Sequence, residues 1–201
     1  MKATFMQRFL AYFIDIIILS IVISLFTMSF SNSKLEQINN ELSEATTNLI
    51  NATNGSDATA LNELNEKITD LEYRYQKASV LPNSISLVIY IAYFIIFQFF
   101  YKGQTIGKKC LKIRVVNKEE KEPSLTTIFL RTFITQGILV TFLSLITIVL
   151  LPKDLYLGFY SVINVLSSIF IIVCALMVLY RKDRRGLHDM MAGSFVIKEE
   201  N

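Results

Sequence analysis

Two charged residues, Asp15 and Arg131, fall inside stretches that are otherwise apolar. Arg8 and Asp15 lie seven apart in RFLAYFID, and Arg131 lies in the run that starts near Thr127. A charged side chain at the centre of a bilayer costs roughly 2.5–3.5 kcal/mol or more, so such a group is paired or functional. A carboxylate that alternately holds a proton and a cation is the minimum chemistry for antiport. The structural alternative is a buried ion pair that fixes helix packing, whose breakage costs about 3–5 kcal/mol. Asp15 sits about 9 Å inside its run by the helical rise, Arg131 enters its own run to a similar depth, and Gln98 lies near the same layer. The expectation is that Asp15 pairs with Arg131, with Arg8 two turns away on the face of Asp15. Whether that pair is an ion-coupling site or a packing device stays open.

A second group of polar residues follows the last apolar run, in DRRGLHDMMAGSFVI. Arg184, Arg185, His188 and Asp189 can form a cluster under the helices. As a functional device it would be a pH-sensitive gate, because histidine titrates near neutrality. The favoured reading is plainer: a lipid-headgroup anchor with a capped turn at Gly186. Other chemistry finds little support. There is one histidine and there are two cysteines, Cys110 and Cys174, so neither a zinc site nor a disulfide framework is expected. No Walker loop, GxSxG elbow or HExxH pair occurs, and no enzyme activity, metal or cofactor is expected.

The elements that must position these groups are membrane helices. Of 201 residues, 52% are hydrophobic, and four apolar runs approach or exceed the roughly 20 residues needed to cross a bilayer. The expected fold is an all-α membrane protein with four transmembrane helices. Its parts are an N-terminal tail with helix 1 (1–30), an outer segment (31–83), helix 2 (84–101), a basic loop (102–126), helix 3 (127–151), helix 4 (158–180) and a tail (181–201). The first run is too long for a signal-peptide h-region and lacks an A-x-A-like site, so it is read as retained. No Gly/Pro-broken pair of half-helices of the kind transporters use is apparent. Seven Lys and Arg residues fall between Lys102 and Thr126, whereas the outer segment has four against eight acids. The positive-inside rule therefore places both termini and the middle loop in the cytoplasm of a multi-pass plasma-membrane protein. The basic side suits an anionic leaflet, not nucleic acid.

The outer segment is patterned. Leu35, Ile38, Leu42, Ala45 and Leu49 repeat at three and four, as do Leu61, Leu64, Ile68, Leu71, Tyr75 and Ala78, with the turn formers NATNGSDAT between. This predicts an extracytoplasmic antiparallel, coiled-coil-like hairpin. It is either a self-paired spacer, the favoured reading, or a docking surface over 34–79 for another envelope protein; its short arms lean on each other or, in a homo-oligomer, on a second copy. Lys112–Val116 and Ser194–Ile197 read as two short strands that can form a cytoplasmic sheet. Gly103 and Gly107 are expected to permit a tight turn below helix 2, and Ser124 to cap helix 3.

RFLAYFID, GQTIGKKCLKIRVVN and DRRGLHDMMAGSFVI together resemble the RDD family of small bacterial membrane proteins, named for an arginine and two aspartates. By position, Arg8 and Asp15 match the first two. Asp189 is the choice for the second aspartate, with Asp183 the competitor. The heptad segment resembles an insertion relative to the short outer loop usual in the family. The resemblance implies a bacterial membrane fold and two function classes: exchange of Na⁺, Li⁺ or K⁺ against protons, or an accessory role in a larger membrane machine. Of these, the accessory or scaffold role is preferred and antiport through Asp15 is the rival.

Overall fold

A computed structural model describes residues 1–28, 33–52 and 58–199. Three helices are long and apolar enough to cross a membrane: α1 (Phe5–Met28), α4 (Val80–Phe100) and α8 (Lys153–Tyr180). At 1.5 Å per residue, even the shortest reaches about 32 Å, enough for a hydrocarbon core of about 30 Å. Their outer faces carry exposed Phe13, Ile21, Val88, Val165 and Ile172. In water those side chains would form an untenable apolar surface, whereas in lipid they are solvated. All three begin several residues before the apolar runs read from sequence.

The run from Thr127 to Leu151 is not one straight helix. It is two, α6 (Leu125–Thr135) and α7 (Ile138–Leu150), bent by 66°. Gly137 supplies the break with φ of 68°, a left-handed conformation that glycine reaches without the Cβ clash. Together α6 and α7 make a fourth candidate span. The expectation that no Gly-broken half-helices occur is thereby corrected. Ser124 caps α6 as anticipated, its hydroxyl accepting from the Thr127 amide.

Two further helices, α2 (Ser33–Ala52) and α3 (Ala58–Ala78), pack on each other through the expected stripes. Ile38, Ala45 and Leu71 are buried between them, flanked by Leu42, Ile68, Tyr75 and Ala78. The anticipated turn falls largely on 53–57, outside the described residues, as does the join from α1 to α2 at 29–32. At its other end α3 runs past Ser79 into α4, with the Ser79 amide bonded to the Tyr75 carbonyl. The pair rests on the start of α8. Lys153 bonds Asp70 at 2.8 Å, Gln76 donates to the Tyr160 hydroxyl, and the rings of Tyr73 and Tyr156 meet edge-on.

At the opposite end lies a small sheet. β1 (Ile113–Asn117) and β2 (Ser194–Lys198) pair antiparallel with Val115 opposite Val196, where the sequence predicts two short strands. The N-terminus joins them: Lys2 bridges Ile197 and the Ala3 amide bonds the Val196 carbonyl. Ala3, Ala11, Ile113, Val115 and Val196 form one buried cluster, which seats the sheet against the base of α1. Two short helices complete this end, α5 (Ile106–Cys110) before β1 and α9 (Leu187–Met191) before β2.

Candidate functional site

The charged residues gather at the sheet-bearing end around two carboxylates. The first is Asp15, buried on α1. A π-helical segment of α4, Ala92–Phe97, turns Tyr93 toward it. The Tyr93 hydroxyl donates to Asp15 Oδ1 at 2.6 Å, the Gly107 amide to Oδ1 at 2.7 Å and the Thr105 hydroxyl to Oδ2 at 2.6 Å. Gly107 is the second residue of α5, so Asp15 receives one of the N–H groups that a helix start cannot satisfy internally, where the helix dipole also favours a negative charge. Thr105, the N-cap, accepts from the Lys108 amide while donating to Asp15. The Tyr93 hydroxyl in turn accepts from the Ile106 amide. Asp15 is therefore the clasp that fastens α5 to α1 and α4.

The second carboxylate is Asp189, fully buried at the start of α9. Arg8 Nη1 donates to Oδ2 at 2.7 Å, and Arg131 Nη1 lies 2.8 Å from Oδ1. His188 Nε2 stands 3.3 Å from Oδ1, and the Gly186 amide donates to Oδ2 at 3.3 Å. The expected pairing of Asp15 with Arg131 is thus corrected. Both residues reach the same layer, but Arg131 binds Asp189, because α9 folds back beneath the helices and brings a carboxylate within its reach. Arg8, on the face of Asp15 as anticipated, also turns to Asp189. Arg8, Asp15 and Asp189 thus gather at one end of α1, with Arg8 on one carboxylate and Asp15 two turns beyond.

The rest of the tail cluster is docked, not spread over headgroups. Arg184 adopts φ of 51° and offers its carbonyl to Arg8 Nη2 at 2.7 Å. Arg185 donates to the backbone carbonyls of Ser194 and Asp189 and stacks on Phe195. Asp183, the competitor for the second aspartate, stays at the surface on Arg181, whose side-chain hydrogen bond draws its pKa down to about 2.

Burial alone would raise Asp189, but Arg131, His188 and Arg8 overcome it and hold the carboxyl well below its ordinary range. Burial pushes His188 down, against the opposing pull of Asp189 and with Arg131 and Arg8 adding to the fall. Both groups bind protons more readily in the unfolded chain, so stability rises with pH. The histidine contribution is complete above its unfolded pKa of about 6.5 and is lost progressively as pH falls from that value toward the lower folded one. The melting temperature in detergent is expected to fall on going from pH 7 to pH 5, and to fall less in His188→Asn.

Beside Asp15 lies a cavity of about 410 Å³. Arg8, Asp15, Lys108, Arg131 and His188 are the titratable part of its polar wall, which Thr132, Thr135 and Gln136 extend, and Phe9, Tyr12, Ile171, Ala175 and Val178 are part of its apolar wall. Lys108 was read from sequence only as one of the topology-setting basic residues. Its ammonium makes no salt bridge among the described residues, and burial and the nearby Arg131 draw it down to about 7. Tyr93, Thr105 and Gly107 were missed as well. The one legible signal for them was Thr-x-Gly, a cap followed by a residue without a side chain.

No group of three or more His, Cys, Asp or Glu residues suited to a metal occurs among the described residues. No solved structure matches the chain. An uncharacterized protein of Bacillus subtilis (strain 168), YckC, is 30% identical over 112 residues, 56% of this chain. The chain thus matches 58% of that relative's length. The RDD family model matches residues 2–193, a span that takes in Arg8, Asp15 and Asp189 together with the elements that hold them. The chain belongs to the RDD family of membrane proteins.

Proposed function

We propose that the chain is an accessory or scaffold subunit of a membrane or envelope complex. In this reading it sits in a bacterial plasma membrane with the sheet and both termini in the cytoplasm and the α2–α3 hairpin outside. The observation that carries it is the occupancy of Asp15. Both oxygens are taken by short hydrogen bonds from three donors on α4, α5 and the loop between them. A carboxylate so held is a fastener; exchange of a cation would require these bonds to open at each cycle. The polar outward residues of α2 and α3, such as Asn40, Glu44, Asn62 and Glu66, then present a surface fixed to α8. The Lys and Arg distribution supports the orientation.

The rival reading is monovalent cation/proton antiport through Asp15. Its support is that Asp15 lines the cavity beside Lys108.

Everted vesicles separate the two. Wild type and Asp15→Asn, at matched membrane levels, would be tested for dissipation of a proton gradient on addition of Na⁺, Li⁺ or K⁺. The scaffold reading expects no cation-dependent dissipation from wild type, with photo-crosslinkers at Glu44 or Glu66 giving a discrete adduct to a different polypeptide in intact cells. Dissipation that vanishes in Asp15→Asn would replace it with antiport.

A further inference from the structure

The cavity has two walls of opposite character and a mouth on the lipid side. Phe9, Tyr12 and Ile171 line it and are also 50%, 41% and 46% exposed, so it opens between α1 and α8, two helices that face lipid. Arg8 lies about one turn from the start of α1, which sets the polar wall at the headgroup boundary. In that wall, Arg8 and Arg131 share Asp189, and Asp15 is occupied by its three donors. Arg8, Arg131 and Lys108 against Asp15 and Asp189 give this end one net positive charge, and Lys108 is the one of the three cations that makes no salt bridge among the described residues.

We propose that this cavity binds the phosphate headgroup of an anionic phospholipid, entering between α1 and α8. Lys108 and the outer edges of the two arginines take the phosphate, and the first part of an acyl chain lies against Phe9, Ile171 and Ala175. Three features favour this ligand over a free anion. The mouth meets acyl chains instead of water. More than half the wall is apolar, which small anions do not use. The volume, at the lower end of ordinary ligand pockets, admits a headgroup and the start of a chain. An unpaired ammonium partly withdrawn from water is also a liability until an anion reaches it, and the depressed affinity of Lys108 for its proton is the signature of that state.

The test uses the full chain purified in a neutral detergent. Its melting temperature would be followed while phosphatidylglycerol, phosphatidylcholine or inorganic phosphate is titrated in. Phosphatidylglycerol is expected to stabilise it saturably, and the other two are not. Lys108→Met should weaken that response about tenfold or more, the worth of one charge-assisted hydrogen bond. Its lipid-free melting temperature should not fall, because it removes a partly buried charge. Lys108→Arg should retain binding, and Ala175→Leu, which narrows the apolar wall without touching a charge, should lose it. Equal responses to both lipids, full binding by Lys108→Met, or the same shift from phosphate alone would each overturn the proposal, the last by making this a small-anion site.

Discussion

Replacing Asp189 with alanine is expected to remove about 3–5 kcal/mol of stability, the usual result of stripping the partner from a buried charge. The loss is large because one carboxylate serves two helices. Arg8 on α1 and Arg131 on α6 both point at it, at 2.7 and 2.8 Å, and their side chains are almost wholly buried. With the carboxylate gone, two guanidinium groups remain close together in a space with little water, and each repels the other. The Gly186 amide loses its acceptor at the same time, so the start of α9 loosens. Asp189→Asn should cost less, since an amide oxygen still accepts hydrogen bonds. Replacing the triad together, as Arg8→Met, Arg131→Met and Asp189→Leu, should recover much of the lost stability, because well-packed apolar groups often match a buried ion triad. Asp183→Ala is the control. Its partner Arg181 is exposed, and an exposed pair contributes about 1 kcal/mol or less. Thermal unfolding in detergent would rank the four variants. A flat response to Asp189→Ala would remove it as the centre of this end of the molecule.

The contrast between these two aspartates shows what the sequence could and could not reveal. Spans were legible because long apolar runs have one physical use, and the first strand because Lys112–Val116 alternates polar and apolar residues with a period of two. Depth was legible too, since residue counting set Asp15 and Arg131 in one layer and both line one cavity. Partnership was not. Depth is one coordinate, and two short helices that begin outside the spans, α5 and α9, deliver competing groups into that layer. Neither is long enough to show a periodic pattern. The bend at Gly137 was hidden for a related reason: the residues on both sides are equally apolar, so the composition does not change where the direction does. The hairpin stripe was clear because α2 and α3 are amphipathic and polar outside, while the spans are apolar nearly all round and show no preferred face.

Gly107→Ala tests the Asp15 clasp from the opposite side, and its effect should be nearly as large. A Cβ on Gly107 would lie 2.0 Å from the Ala11 carbonyl oxygen and 2.8 Å from Asp15 Oδ1. The first of these is backbone in the second turn of a spanning helix and cannot step aside. The short helix α5 must instead move off α1, and its movement breaks the Gly107–Asp15 bond and strains those from Thr105 and Tyr93. An overpacked contact of this kind costs about 1–3 kcal/mol, and leaving a buried acceptor short of donors adds about as much again. Gly158→Ala is the matched control. Nothing lies within 4 Å of its Cβ position, and as a residue within α8 it should be neutral or stabilising by up to about 1 kcal/mol. Hydrogen exchange adds a local readout. In Gly107→Ala the amides at 106 and 107 should lose protection, while β1 and β2, which pair with each other, should keep theirs. If the alanine variant instead melts like wild type with those amides still protected, α5 does not depend on contact with α1. Asp15 would then be free of the structural duty that argues against its exchanging ions.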